Sequence, residues 1–145
     1  MQTLVYREAA PADAPLSPPS PGDGEFQPDE WGAATTLVPS EALLFRYSAL
    51  TFNTHRIHYD LPYAQDVERY RGLVVHGPLI ASLLLKLAAE TYGENRLASF
   101  EFRAVSPAIA GESLHLAMRE SDGAIELGSF ASNGRQTMKA GATLA

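Results

Sequence analysis

Two short patches hold most of the side chains that titrate near neutral pH. Three of the four histidines lie in them: His55 and His58 in FNTHRIHYD, residues 52–60, and His76 in VVHGPL, residues 74–79. An imidazole both gives and takes a proton near neutral pH, as adding water to a double bond or eliminating it requires. His58 sits in a loop just before a helix start, where scaffold-held catalytic groups often lie. A structural histidine capping local backbone suits the same position, and the residues alone leave both roles open. His55 and His58, with Asp60 close by, raise the question of a metal. The segment is not helical in pattern and no third histidine falls in register, so no metal is expected.

The patch at His76-Gly77-Pro78 has a different logic. Glycine lets a ligand approach the backbone, and the start of a buried helix presents free N–H groups at the positive end of its dipole. A thioester carbonyl gathering enolate charge is stabilised at such a place. Pro78 has no N–H, so the donors must come from Gly77, Leu79 or Ile80. The plainer reading is that Gly-Pro merely starts a helix. His115, the remaining histidine, lies within an alternating stretch and reads as a sheet-face residue.

Several elements must position these groups. Phe45, Tyr47 and Ala49 alternate with Arg46 and Ser48, the period of a half-buried strand. Asp60 can N-cap a short helix with Pro62 in its first turn and Tyr63, Ala64, Val67 and Tyr70 on one face, ended by Gly72. Gly77 as N-cap and Pro78 as first residue open a helix over 78–92, closed by Gly93. Its apolar residues leave only the narrow stripe Ser82, Lys86 and Glu90, so other structure should wrap it. Strands are expected over 97–104, 112–118, 124–131 and 136–144, with hairpin dipeptides at Asp122-Gly123 and Asn133-Gly134. One buried helix followed by an antiparallel meander is an α+β arrangement. A curved antiparallel sheet around one long central helix, the hot-dog layout, satisfies every signal.

Seven of the ten prolines precede Ser40. Residues 9–36 therefore read as a Pro/Gly-rich linker or arm, residues 1–8 as a remnant strand, and residues 37–145 as the domain. The 145 residues are 46% hydrophobic and carry a net charge of −6. With the basic residues scattered, nucleic acid is not an expected partner. Zero cysteines exclude disulfides and thiol chemistry. The longest apolar stretch, residues 79–89, is too short to span a bilayer and contains Lys86. With no signal-peptide pattern either, a soluble cytoplasmic protein is expected.

At residues 46–79 the run RYSALTFNTHRIHYDLPYAQDVERYRGLVVHGPL resembles the signature of the MaoC-like hydratases. The likeness is to their 3-hydroxyacyl-thioester dehydratase and mesaconyl-CoA hydratase branch, and it extends over about residues 43–145. In the wider family an aspartate and a histidine share the catalytic water, and a helix-start glycine after a histidine receives the thioester oxygen. The resemblance implies His58 as acid/base and Gly77, with His76 and Leu79, as the thioester-binding group. Asn53 stands in the aspartate's place, as it does in this branch. An amide positions water but cannot take its proton at neutral pH, so proton transfer falls on His58, with His55 or Asp60 as candidate helpers.

The implied reaction is hydration of a 2-enoyl thioester or dehydration of its 3-hydroxyacyl counterpart, a mesaconyl- or itaconyl-type dicarboxylic acyl group included. No cofactor is implied beyond the coenzyme A or acyl-carrier-protein phosphopantetheine of the substrate. Members of this branch commonly carry two hot-dog halves, with substrate between them. A homodimer or a second hot-dog unit is thus the implied partner, and residues 1–36 look like the tail of a first half and its linker. Two alternatives stand beside this reading: a hot-dog thioesterase, and a non-catalytic subunit that binds acyl thioesters or supplies a dimer surface.

Overall fold

Among the described residues five antiparallel strands, β1 (Ala33–Leu37), β2 (Leu97–Ala104), β3 (Leu114–Ser121), β4 (Ala124–Ala131) and β5 (Gln136–Leu144), form one sheet in the order β1-β3-β4-β5-β2. The computed structural model describes residues 3 and 8–145, so the strand-like fragment expected before residue 8 lies, but for Thr3, outside the described residues. β2, β4 and β5 occupy the expected spans, while β3 starts two residues later than expected and runs on to Ser121. Asp122 and Gly123 both take positive φ, 52° and 78°, the twist that a two-residue hairpin between right-twisted strands needs.

Alternation puts Leu114, Leu116 and Met118 of β3, Ile125 and Leu127 of β4, and Met138 and Ala142 of β5 in the core. Against them lies the long helix α2 (Gly77–Tyr92), through Ile80, Leu84, Leu87 and Ala88. Leucine and alanine favour this helix intrinsically, and Gly93 (φ 94°) ends it, its N–H donating to Ala89 O at 2.9 Å. Leu84 is fully buried, so Leu84→Ala should cost about 2–5 kcal/mol. The helix begins one position earlier than expected: His76 is the N-cap and Gly77 the first residue. Among the described residues no helix is long and apolar enough to cross a membrane.

The stretch around Phe45 to Ala49 is not a strand. It lies inside helix α1 (Glu41–Thr51), whose N-cap Ser40 accepts a hydrogen bond from Leu43 N at 3.1 Å. Leu44 and Ser48, four residues apart, are the buried positions. Phe45 and Leu50 point outward, so apolar side chains on both faces imitate a strand's alternation. Residues 33–36, assigned to the linker, belong to the sheet, with Ala33 opposite Met118 and Leu37 opposite Leu114. The arm before them lies against the body. Ser17 N donates to Arg69 O at 2.8 Å, Arg71 N donates to Ser17 O at 2.9 Å, and Phe26 is buried.

Candidate active site

The end of α1 delivers the first group. Phe52 adopts the left-handed conformation (φ 53°, ψ 30°), and Asn53 N donates to Ser48 O at 2.9 Å, closing the helix in a Schellman-like turn. Asn53 Oδ1 then accepts from His55 N at 3.0 Å. With its carbonyl engaged by backbone, the amide of Asn53 has its N–H donors to offer to a ligand.

A single 3-10 turn, Arg56–His58, carries the chain to His58, which is buried. The turn is braced by Asp60, whose Oδ2 accepts from Arg56 Nη2 at 2.7 Å and Nε at 3.0 Å, while its Oδ1 caps Tyr63 N at 3.1 Å. The Arg56 guanidinium, seconded by the Tyr63 N–H, holds the Asp60 carboxyl below the usual carboxylate range. Both oxygens are engaged, which makes Asp60 a poor proton acceptor. His55 is exposed, and its ring stands edge-on to that of His58 at 5.8 Å. Of the expected group, Asn53, His55 and His58 therefore share one loop, and Asp60 shapes it. The helix expected after Asp60 is a short π-turn, Tyr63–Val67.

His58 Nδ1 lies 2.6 Å from the carbonyl oxygen of Val74. A carbonyl only accepts, so Nδ1 carries the proton and the neutral ring has its lone pair on Nε2. Val74 is itself fixed by its bridge to Ile109 and by Val74 N donating to Ile57 O at 2.9 Å. Burial lowers the pKa of His58 and outweighs the Val74 bond, which raises it; the His55 charge lowers it further. The resting ring is thus a neutral base with a fixed proton on its far side.

Two residues beyond Val74, His76 lies face to face with His58, centroids 3.7 Å apart and planes 17° apart. It is 1% exposed, its Nε2 is 2.8 Å from Ser48 Oγ, and Tyr47 meets it edge-on at 4.8 Å. Burial first, and then the neighbouring His58, lower its pKa to about 4. The first bond of α2 here runs from Ile80 N to His76 O at 3.1 Å, so Ile80 is spent on the helix. Gly77 and Leu79, in the first turn, have N–H groups without an intrahelical partner. A Cβ on Gly77 would meet only Met138 Cε at 3.9 Å, so the fold does not itself exclude a side chain there. Ser48, Tyr47 and the Val74 carbonyl are site components that the sequence reading missed. None carries a distinctive chemical signature in one dimension.

This arrangement offers a neutral base, an amide that can donate to water, and a helix start that can receive an oxyanion. Residues 1–110 match the family model described as hydroxyacyl-thioester dehydratase type 2. Over 139 residues the chain is 42% identical to mesaconyl-C(4)-CoA hydratase of Chloroflexus aurantiacus, covering 96% of this chain and 48% of that protein. It is 38% identical over 87 residues to the mitochondrial hydroxyacyl-thioester dehydratase type 2 of Schizosaccharomyces pombe, covering 59% of this chain and 29% of that protein. The chain thus spans half or less of the length of these curated relatives. Among solved structures it overlays the (R)-hydratase of A. caviae with a TM-score of 0.65 at 19% identity, covering 76% of this chain and 89% of that one. A MaoC-like dehydratase from Phytophthora capsici overlays with a TM-score of 0.70 at 15% identity, covering 86% and 44%. The fold is therefore the α+β hot-dog, and the chain belongs to the hydroxyacyl-thioester dehydratase type 2 family.

Proposed function

We propose that this chain carries the catalytic residues for reversible addition of water to a 2-enoyl thioester. The single observation behind this is the 2.6 Å bond from His58 Nδ1 to Val74 O, which points the basic Nε2 away from the backbone. In the forward direction water is held by the Asn53 amide and gives a proton to His58 Nε2 as its oxygen bonds to C3. The thioester oxygen takes up the enolate charge against the N–H groups of Gly77 and Leu79. His58 returns the proton to C2, so the atoms of one water are added and His58 ends neutral. Dehydration is the reverse. The relatives named for mesaconyl-CoA hydration and hydroxyacyl-thioester dehydration support this chemistry.

The acyl carrier, coenzyme A or a carrier protein's phosphopantetheine, is part of the substrate, and no further cofactor takes part. Partnership with a second hot-dog unit, a like copy or another half, belongs to the same proposal. Phe45, Leu50 and Phe52, at 64%, 80% and 90% exposure, crowd the helix that leads into the site. Two surface concavities, about 420 and 440 Å³, are lined by sheet and arm residues and not by His58. A second wall over the histidines is what another unit would supply. We place the domain at residues 33–145, with residues 9–32 as its arm, in a cytoplasmic protein.

Purified protein mixed with crotonyl- or mesaconyl-type CoA should show loss of the conjugated enoyl-thioester absorbance without release of thiol to a thiol-reactive dye. Release of thiol at the rate of absorbance loss would replace the proposal with a thioesterase. Constant absorbance, alone and with a second hot-dog protein added, would leave a non-catalytic subunit.

A further inference from the structure

We propose that Ser48 and His76 form a positioning pair for His58: the serine hydroxyl donates to His76 Nε2, and the ring so fixed is a neutral plate against which the proposed base is held. Its kinetic consequences rest on the hydration reading above. Helical hydroxyls usually turn back to the carbonyl one turn earlier. Thr51 does so to Tyr47 O at 2.7 Å, Ser82 to Pro78 O at 2.9 Å and Thr91 to Leu87 O at 3.1 Å. Ser48 instead reaches across to His76, 28 residues away, at 2.8 Å, and both side chains are buried.

Among the described residues Ser48 Oγ makes no other hydrogen bond, so its proton goes to the one acceptor in reach. His76 then carries its own proton on Nδ1, a buried atom with no hydrogen-bond partner. The donated bond occupies the only basic lone pair of His76 and so disfavours a second proton there. That neutrality matters because His58 becomes an imidazolium in each turnover, 3.7 Å away. A neutral aromatic face accommodates a cation, whereas a second cation at that distance would oppose it. Tyr47 closes another side of the plate, and no carboxylate hydrogen-bonds to it among the described residues. Neither Ser48 nor His76 needs to touch substrate; both act through the direction and proton affinity of His58.

Nitrogen NMR of the wild-type histidine rings should show His76 as the neutral tautomer protonated at Nδ1, unchanged between about pH 5 and 8. Ser48→Ala should lower kcat by roughly tenfold to 10²-fold with little change in KM, as misplacement of a catalytic group does. It should also move the acid limb of the kcat profile to higher pH, because the uncapped pair takes its first proton more readily. Ser48→Thr, which keeps the hydroxyl, should restore both. A His76 protonated at Nε2 would overturn the inference, as would a Ser48→Ala variant with wild-type kcat and acid limb. If wild-type protein hydrates no enoyl thioester, the functional reading falls, and the tautomer measurement still decides this one.

Discussion

His76 and His115 are held by the same device. His115 Nδ1 lies 2.8 Å from Thr36 Oγ1 on the neighbouring strand, and its ring stacks on Phe26 of the arm at 4.6 Å, with planes 10° apart. His76 has Ser48 Oγ at 2.8 Å and stacks on His58 at 3.7 Å. Burial lowers the pKa of both imidazoles. A hydroxyl and a flat neighbour are enough to hold a histidine anywhere in a fold. The difference lies in the second ring. Phe26 has nothing to titrate, so the outer-face stack only clips the arm to the sheet. His58 keeps a free basic nitrogen in a loop beside a helix start, so the other stack can serve proton transfer.

The strongest way to break this comparison is to remove one histidine from each side. His58→Ala should lower the hydration rate by about 10²- to 10⁴-fold, whereas His115→Ala should leave it within about twofold in folded protein, since a group far from the reacting atoms contributes no transition-state interaction. Steady-state kinetics on the two variants gives the answer.

Acid unfolding tests the buried side of the stack. The folded-state pKa of His76, about 4, lies below its unfolded value near 6.5. Between these values the unfolded chain binds the proton and the folded chain does not. Stability is therefore complete above the upper value and lost as pH falls through this window, by about 3 kcal/mol for this group. His58 and His115, also lowered, add in the same direction. Urea titrations across the window should show the fall, and a flat profile would contradict the assignment.

Gly77→Ala should fold normally, since its new methyl finds ordinary contact distance to Met138. It should nonetheless cost up to about 10²-fold in kcat/KM by displacing the thioester oxygen from the helix start. On the opposite side of the sheet, Phe26→Ala should lower stability by about 2 kcal/mol through lost burial, measured by denaturant titration, with kcat of the folded protein unchanged.

Much of this architecture was legible in the chain. α2 announces its start with Gly77-Pro78 and its stop with Gly93, and the Asp122-Gly123 and Asn133-Gly134 dipeptides delimit β4. α1 imitates a strand in sequence because Phe45 and Leu50 are exposed while Leu44 and Ser48 are buried, so the apolar pattern carries no clean helical period. Ser40 with Glu41 was the signal that marks its start. β1 was hidden because Ala33–Leu37 follows a proline-rich arm and gains strand character only from pairing with β3. His58 and Gly77 stand out by chemical type. Ser48 does not: a serine in an apolar helix acquires meaning only when the fold brings α1 against His76.

The most direct test of the central claim is to let wild-type and His58→Ala protein act on an enoyl-CoA in heavy-oxygen water and locate the label by mass spectrometry. The account predicts one labelled oxygen in the 3-hydroxyl of the acyl-CoA formed by wild type, and at least about 10²-fold slower labelling with the variant. Label in a free carboxylate, or equal labelling rates with and without His58, would contradict it.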